Sequence, residues 1–162
     1  LAFFRQWYLY VFEDMGITEK TAQRVDLLVE KLWYLKKQPY PETVEALEYF
    51  QGRGYKMGVI SDCPPSLELT LEDCGLHRYF TSFTASSLVG AMKPDPIIFN
   101  AALKALGVAA EESIYVDDYP PEADGARALG FTAFLIDRKG GGGPWTINNL
   151  RQVVDFAERE SL

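Results

Sequence analysis

A chain of 162 residues has room for one domain with a real core, or for one domain and a small appendage. Its composition, 48% apolar and 24% charged, is that of a globular protein. A formal charge of −7 argues against a nucleic-acid surface, which needs clustered Lys and Arg, but not against a phosphorylated small molecule, because a metal ion can supply local positive charge. No apolar run reaches the length of a membrane span, and no charged segment leads into an apolar stretch as in a secretory leader. Cys63 and Cys74 are too few for a disulfide framework, so reduced thiols and a cytoplasmic location are expected. The first residue is Leu1 rather than Met, which reads as a processed or excerpted chain.

Phe4, Trp7, Tyr8 and Val11 recur at helical spacing, and Gly16 offers a stop. Thr18 is placed to cap a second helix, with Val25, Leu28, Val29 and Leu32 as its stripe. Together these predict a helical hairpin over residues 1–38, whose aromatic side chains read as packing or as a surface for substrate or partner. Gln38-Pro39-Tyr40-Pro41 interrupts the helical pattern and marks a boundary. From there the chain alternates: helix 43–51, strand 55–60, helix 67–74, short strand 83–85, helix 96–106, strand 113–116, helix 122–129, strand 132–136 and a closing helix 147–159. Such alternation predicts an α/β fold over 39–162, a doubly wound parallel sheet with helices on both faces. The run Gly140 to Gly143 lacks the Lys-Ser/Thr of a phosphate loop and reads as a flexible surface connection.

In an open parallel sheet, ligands bind beyond the carboxyl ends of the strands. The residues expected there are Ser61 and Asp62, Lys93 and Pro94 on a loop before a helix, the pair Asp117-Asp118, and Asp137. A hydroxyl, an ammonium and adjacent carboxylates suit phosphate and Mg²⁺: carboxylates hold the ion, while Lys and Ser contact phosphoryl oxygens. Taken singly, Ser61 reads equally as a strand-end cap and Lys93 as a solvated loop residue. Adjacent aspartates at a strand end are less ordinary, because like charges repel unless a cation lies near them.

The segment Gly58-Val59-Ile60-Ser61-Asp62 resembles the second motif of the haloacid dehalogenase superfamily, with Asp62 where Asn is usual. Lys93-Pro94-Asp95-Pro96-Ile97-Ile98-Phe99 resembles the third motif. Ile114-Tyr115-Val116-Asp117-Asp118, followed by Glu122 and Gly125-Ala126-Arg127-Ala128-Leu129-Gly130, resembles the fourth in its paired-acid form. The motifs occur in the family's order; a response-regulator receiver has its acidic pair first and its Lys last. The resemblance implies a doubly wound core with a partial helical cap, residues 1–38 being the tail of that cap. It implies Asp118 as a direct Mg²⁺ ligand, Asp117 as support for the metal or its waters, Glu122 as a second supporting acid, and Ser61 and Lys93 as the residues that hold the transferred phosphoryl group. The paired acids point to the Mg²⁺-dependent phosphatase branch, acting on a small phosphomonoester. The alternatives are a non-catalytic binding module of the same fold and a hydrolase acting on a non-phosphate bond. The family's first motif, Asp-x-Asp on the central strand, occurs nowhere in the chain, so the nucleophile is expected upstream.

Overall fold

The structure, a computed structural model, describes residues 2–33 and 37–160, without the side chains of Leu32 and Trp33. The chain divides into two compact units, Leu1–Gln38 and Pro39–Leu162.

In the first unit, helices α1 (Ala2–Asp14) and α2 (Thr21–Trp33) pack on one another, with Arg5 Nε 2.7 Å from Asp26 Oδ1. The second helix begins at Thr21 rather than next to Thr18. Residues 19–20 form a turn, Lys20 has a positive φ of 51°, and the Thr21 hydroxyl donates back to Ile17 O. Of the predicted stripes only Val25 is fully buried; Phe4, Tyr8, Val11, Leu28 and Val29 are half-buried. Trp7 is exposed along with Phe3 and Tyr10, and the Leu32 side chain lies outside the described residues.

The second unit is α/β. Its elements are α3 (Thr43–Gly52), β1 (Gly58–Ser61), α4 (Leu67–Asp73), β2 (Ser82–Ala85), α5 (Ser86–Val89), α6 (Pro96–Leu106), β3 (Ile114–Asp117), α7 (Pro120–Ala128), β4 (Thr132–Ile136), β5 (Thr146–Ile147) and α8 (Arg151–Glu160). Strand β1 runs parallel to β2, with Gly58 opposite Ser82; β3, β4 and β5 form a second parallel sheet, with Ile114 opposite Thr132 and Ile136 opposite Ile147.

Period-two alternation distributes the strand side chains between two cores. Ala133 joins Ile98, Phe99 and Ala126 on the face of α6 and α7, and Ile60 and Tyr115 pack against that cluster. Phe134 joins Ile147 and Val153 on the opposite face, with Phe50 of α3, Val116 and Phe156 of α8 around them. Helices therefore cover both faces, as expected of a doubly wound fold.

Several boundaries differ from the sequence reading. Strand β1 starts at Gly58, not at residue 55: Tyr55 packs its ring edge-on to Phe50, 5.1 Å away. Helix α7 starts at Pro120, two residues early, because proline suits the first turn, where its missing N–H has no helical partner. Ile147 belongs to β5 rather than to the closing helix, which starts at Arg151. The Gly140–Gly143 run is tied down at one end. Asp137 accepts from the N–H groups of Lys139 and Gly141, at 2.9 Å each.

Strands β1 and β3 belong to different sheets and do not pair with one another among the described residues. No residue of either strand is fully buried, whereas β2 and β4 both contain fully buried positions. Inner strands of a parallel sheet covered on both faces are normally its most buried part. Each sheet thus ends on a strand whose free edge still offers backbone N–H and C=O groups.

Candidate active site

Three local structures bring charged groups to the carboxyl ends of β1 and β3. Ser61 closes β1, and the carboxylate of Asp62 accepts the backbone N–H of Lys93 at 3.1 Å, which fixes the loop before α6. On the far side of that loop Asp95 caps α6, accepting from Ile97 N at 2.8 Å, and Pro96 occupies the first turn. Asp117 closes β3. Glu122 lies in the first turn of α7, where the helix dipole favours an acid. Gly125 lets α7 approach closely: a Cβ there would lie 2.6 Å from Cβ of Pro94.

The Lys93 ammonium lies 2.7 Å from Asp117 Oδ2 and 2.5 Å from Glu122 Oε2, and the three side chains are 10%, 8% and 14% exposed. Asp117 Oδ2 also accepts from the Tyr115 hydroxyl at 2.5 Å, and its Oδ1 accepts from Tyr119 N at 3.0 Å. Burial alone would lower the lysine's pKa, but Asp117 and Glu122 outweigh it and hold the ammonium above its ordinary value. Burial pushes Asp117 upward; Lys93, Tyr115 and the Tyr119 N–H more than reverse that and hold it below the usual carboxylate range. Glu122 goes the other way: burial and the neighbouring Asp117 raise it against the pull of Lys93. The Tyr115 phenol is raised by burial and by its bond to Asp117, so it stays protonated and remains a donor.

Asp118 contrasts with its neighbour. It is exposed, and among the described residues its carboxylate makes no hydrogen bond or ion pair. Ser61 is half-buried with an unengaged hydroxyl. A cleft of about 580 Å³ opens at this edge, lined by Lys93, Asp117 and Asp118 and also by Tyr40, Arg138 and Lys139. Neither Ser61 nor Glu122 is among its lining residues.

The geometry separates the sequence-derived candidates into roles. Lys93, Asp117 and Glu122 form one ion-pair cluster; two of the three ammonium protons are engaged, and one is left for a ligand. Asp118 stands beside the cluster with its lone pairs available, and Ser61 ends the neighbouring β1. No group of three or more His, Cys, Asp or Glu converges among the described residues. The donor set nevertheless suits Mg²⁺, which is held by one or two carboxylates and keeps waters and phosphate oxygens as its other ligands. Asp137 does not join the cluster, since its carboxylate is spent on its own loop. Tyr115 was not among the sequence candidates. Its signal was present, two residues before Asp117 on the same face of a strand.

A family model described as "Hydrolase: haloacid dehalogenase-like hydrolase" matches residues 6–130. Phosphatase MT3486 of Mycobacterium tuberculosis is 35% identical over 117 residues, covering 71% of this chain and 54% of its own. The (S)-2-haloacid dehalogenase of Pseudomonas sp. strain YL is 30% identical over 133 residues, with coverages of 77% and 57%. Among solved structures, a HAD phosphatase from Thermococcus onnurineus superposes with a TM-score of 0.70 at 26% identity, over 96% of this chain and 88% of the other. The chain spans little more than half the length of these curated relatives.

Proposed function

This chain belongs to the haloacid dehalogenase-like hydrolase family, and we propose that it carries the phosphoryl-binding part of a Mg²⁺-dependent phosphohydrolase for a small phosphomonoester. The observation behind this reading is the buried Lys93–Asp117–Glu122 cluster beside the unengaged carboxylate of Asp118. A pre-oriented ammonium and a free acid at one strand edge suit a tetrahedral dianion bridged to a divalent cation.

In this reading Asp118 is the residue that would hold the ion. Asp117, held by Tyr115 and Tyr119 N, keeps the Lys93 ammonium aimed at the ligand and would support the ion from beside Asp118. Lys93 and the Ser61 hydroxyl hold the oxygens of the transferred phosphoryl group. Glu122 accepts a second hydrogen bond from the ammonium and so fixes its direction. Mg²⁺, when bound, neutralises charge on the phosphoryl oxygens. The covalent step needs a carboxylate nucleophile, and no Asp-x-Asp is present in the chain. That residue is assigned to an upstream strand between β1 and β3, consistent with their unpaired edges. The unit Leu1–Gln38 is then the returning part of an inserted cap. The cytoplasmic setting we propose rests on a cysteine count too low for a disulfide framework, and no described helix is long and apolar enough to cross a membrane.

The test compares hydrolysis of an aryl phosphate by the 162-residue chain with hydrolysis by a version extended upstream through an Asp-x-Asp strand. Metal-dependent turnover is expected from the long form alone. Equal turnover by both would show that the nucleophile lies elsewhere. Metal-independent turnover of a 2-haloacid by the long form, with none of the phosphate, would favour carbon–halogen chemistry.

A further inference from the structure

The cleft extends beyond the phosphate-binding cluster, to a wall the reaction outlined above does not use. Arg138, two residues past the end of β4, sets its guanidinium over the Tyr40 ring at 3.4 Å from the centroid, while its Nη1 donates to Glu42 Oε1 at 2.6 Å. Glu42 is itself only 7% exposed and also accepts from Leu150 N. The guanidinium is therefore held on one face and at one nitrogen. Its Nε and Nη2 donate to nothing among the described residues, and the side chain is 25% exposed. Lys139, exposed in the same cleft, has no side-chain partner among the described residues.

We propose that Arg138 and Lys139 form a second anion subsite, so that the substrate of this site is a phosphomonoester that also carries a carboxylate. The proposal rests on the phosphohydrolase reading and names its substrate class. A planar fork with two free N–H positions, already ordered, matches the two oxygens of a carboxylate and loses little entropy on binding. In a chain of net charge −7, an arginine with two open N–H positions next to a lysine without a counter-ion, both lining one cleft, is not a consequence of composition. The volume also exceeds what a bare phosphate needs and lies in the range of ordinary small-ligand sites. A monoanion fits better than a second phosphate, because Asp137 also lines the cleft and Glu42 touches the guanidinium, and both would repel the larger charge.

The test is calorimetric binding to the 162-residue chain with Mg²⁺, comparing 3-phosphonopropionate with propylphosphonate, which lacks the carboxylate. The intact chain is expected to prefer the carboxylated ligand about tenfold, within the range of a charge-assisted pair. Arg138→Lys keeps a cation for Glu42 but loses the fork, and it should erase most of that ratio. Lys139→Gln changes an exposed residue without a partner, leaves the fold intact, and should reduce the ratio several-fold. Equal affinities in the intact chain, or an unchanged ratio in both variants, would overturn the subsite. Binding of propylphosphonate together with a ratio of one sinks the subsite alone. Binding of neither ligand overturns both the subsite and the phosphohydrolase reading.

Discussion

Asp117 and Asp118 are adjacent in the chain, yet burial divides their work. Asp117 is 8% exposed and accepts three hydrogen bonds; Asp118 faces solvent without a partner. Asp117→Asn should cost about 1.5–3 kcal/mol, because it leaves the buried ammonium with one acid instead of two. Asp118→Asn should shift stability by less than about 0.5 kcal/mol yet abolish metal-dependent turnover of the upstream-extended protein. Urea denaturation and an aryl-phosphate assay read the two effects separately, and full turnover by the Asp118 variant would remove it as a ligand. Glu42 offers a pH test. Burial pushes its carboxyl upward, but Arg138 and the N–H of Leu150 outweigh burial and lower it below the ordinary glutamate value. A lowered folded-state pKa gives stability that is present above the unfolded-state value and lost as pH falls through the folded one. Glu42→Gln should therefore cost about 1–2 kcal/mol at pH 7. That deficit should shrink as pH falls from the ordinary glutamate range through the lower folded-state value, as the wild-type carboxyl protonates. A deficit that does not shrink at all across an acid titration of both proteins would refute the ion pair as its source.

At the scale of elements, the approach of α7 to the Lys93-Pro94 loop decides whether Glu122 can reach the ammonium. Glycine at 125 permits it. Alanine in a helix interior is normally favoured over glycine by about 1 kcal/mol. Here the added Cβ would meet the Pro94 ring at 2.6 Å and its carbonyl oxygen at 3.4 Å, and neither is the far end of a flexible side chain. Gly125→Ala should therefore be net destabilising, by about 1–3 kcal/mol. Gly142→Ala, with open space around it, should leave the melting temperature within about 2 °C. Equal melting temperatures for the two variants would exclude close packing as the reason for glycine at 125. Helix α6 was legible at both ends, since Pro96 suits a first turn and Gly107 a stop. The start of α7 was not, because Pro120 and Pro121 read as breakers until their place in a first turn is known. Strand β5 was also hidden: two residues carry no periodicity, and only pairing with β4 defines them.

In the second unit, the two parallel sheets share helical layers but leave one edge of β1 and one edge of β3 without a partner strand among the described residues. A strand inserted between them would satisfy both edges and bury side chains now half-exposed. The upstream-extended protein should accordingly unfold at higher urea concentration and with a larger m-value than the 162-residue chain. In the extended form, amide exchange should slow most at residues 58–61 and 114–117. Unchanged exchange at those residues would show that the added segment docks elsewhere.

The sequence alone determined the order of chemical groups along the chain. Ser61, Lys93, Asp117 and Asp118 each follow or precede an element whose apolar run or cap is local, so their expected place at the carboxyl ends of parallel strands follows from strand direction. Only the tertiary structure decided which groups share protons and charge. Lys93 meets Glu122 because α7 packs closely on its loop, and Arg138 meets Glu42 across 96 residues because the ends of β4 and the start of α3 converge. Periodicity reports which face of an element is apolar. It carries no information about how far apart two elements pack, and at 2.5–3 Å that separation decides whether a charge is a ligand, a positioning group or a free recognition element.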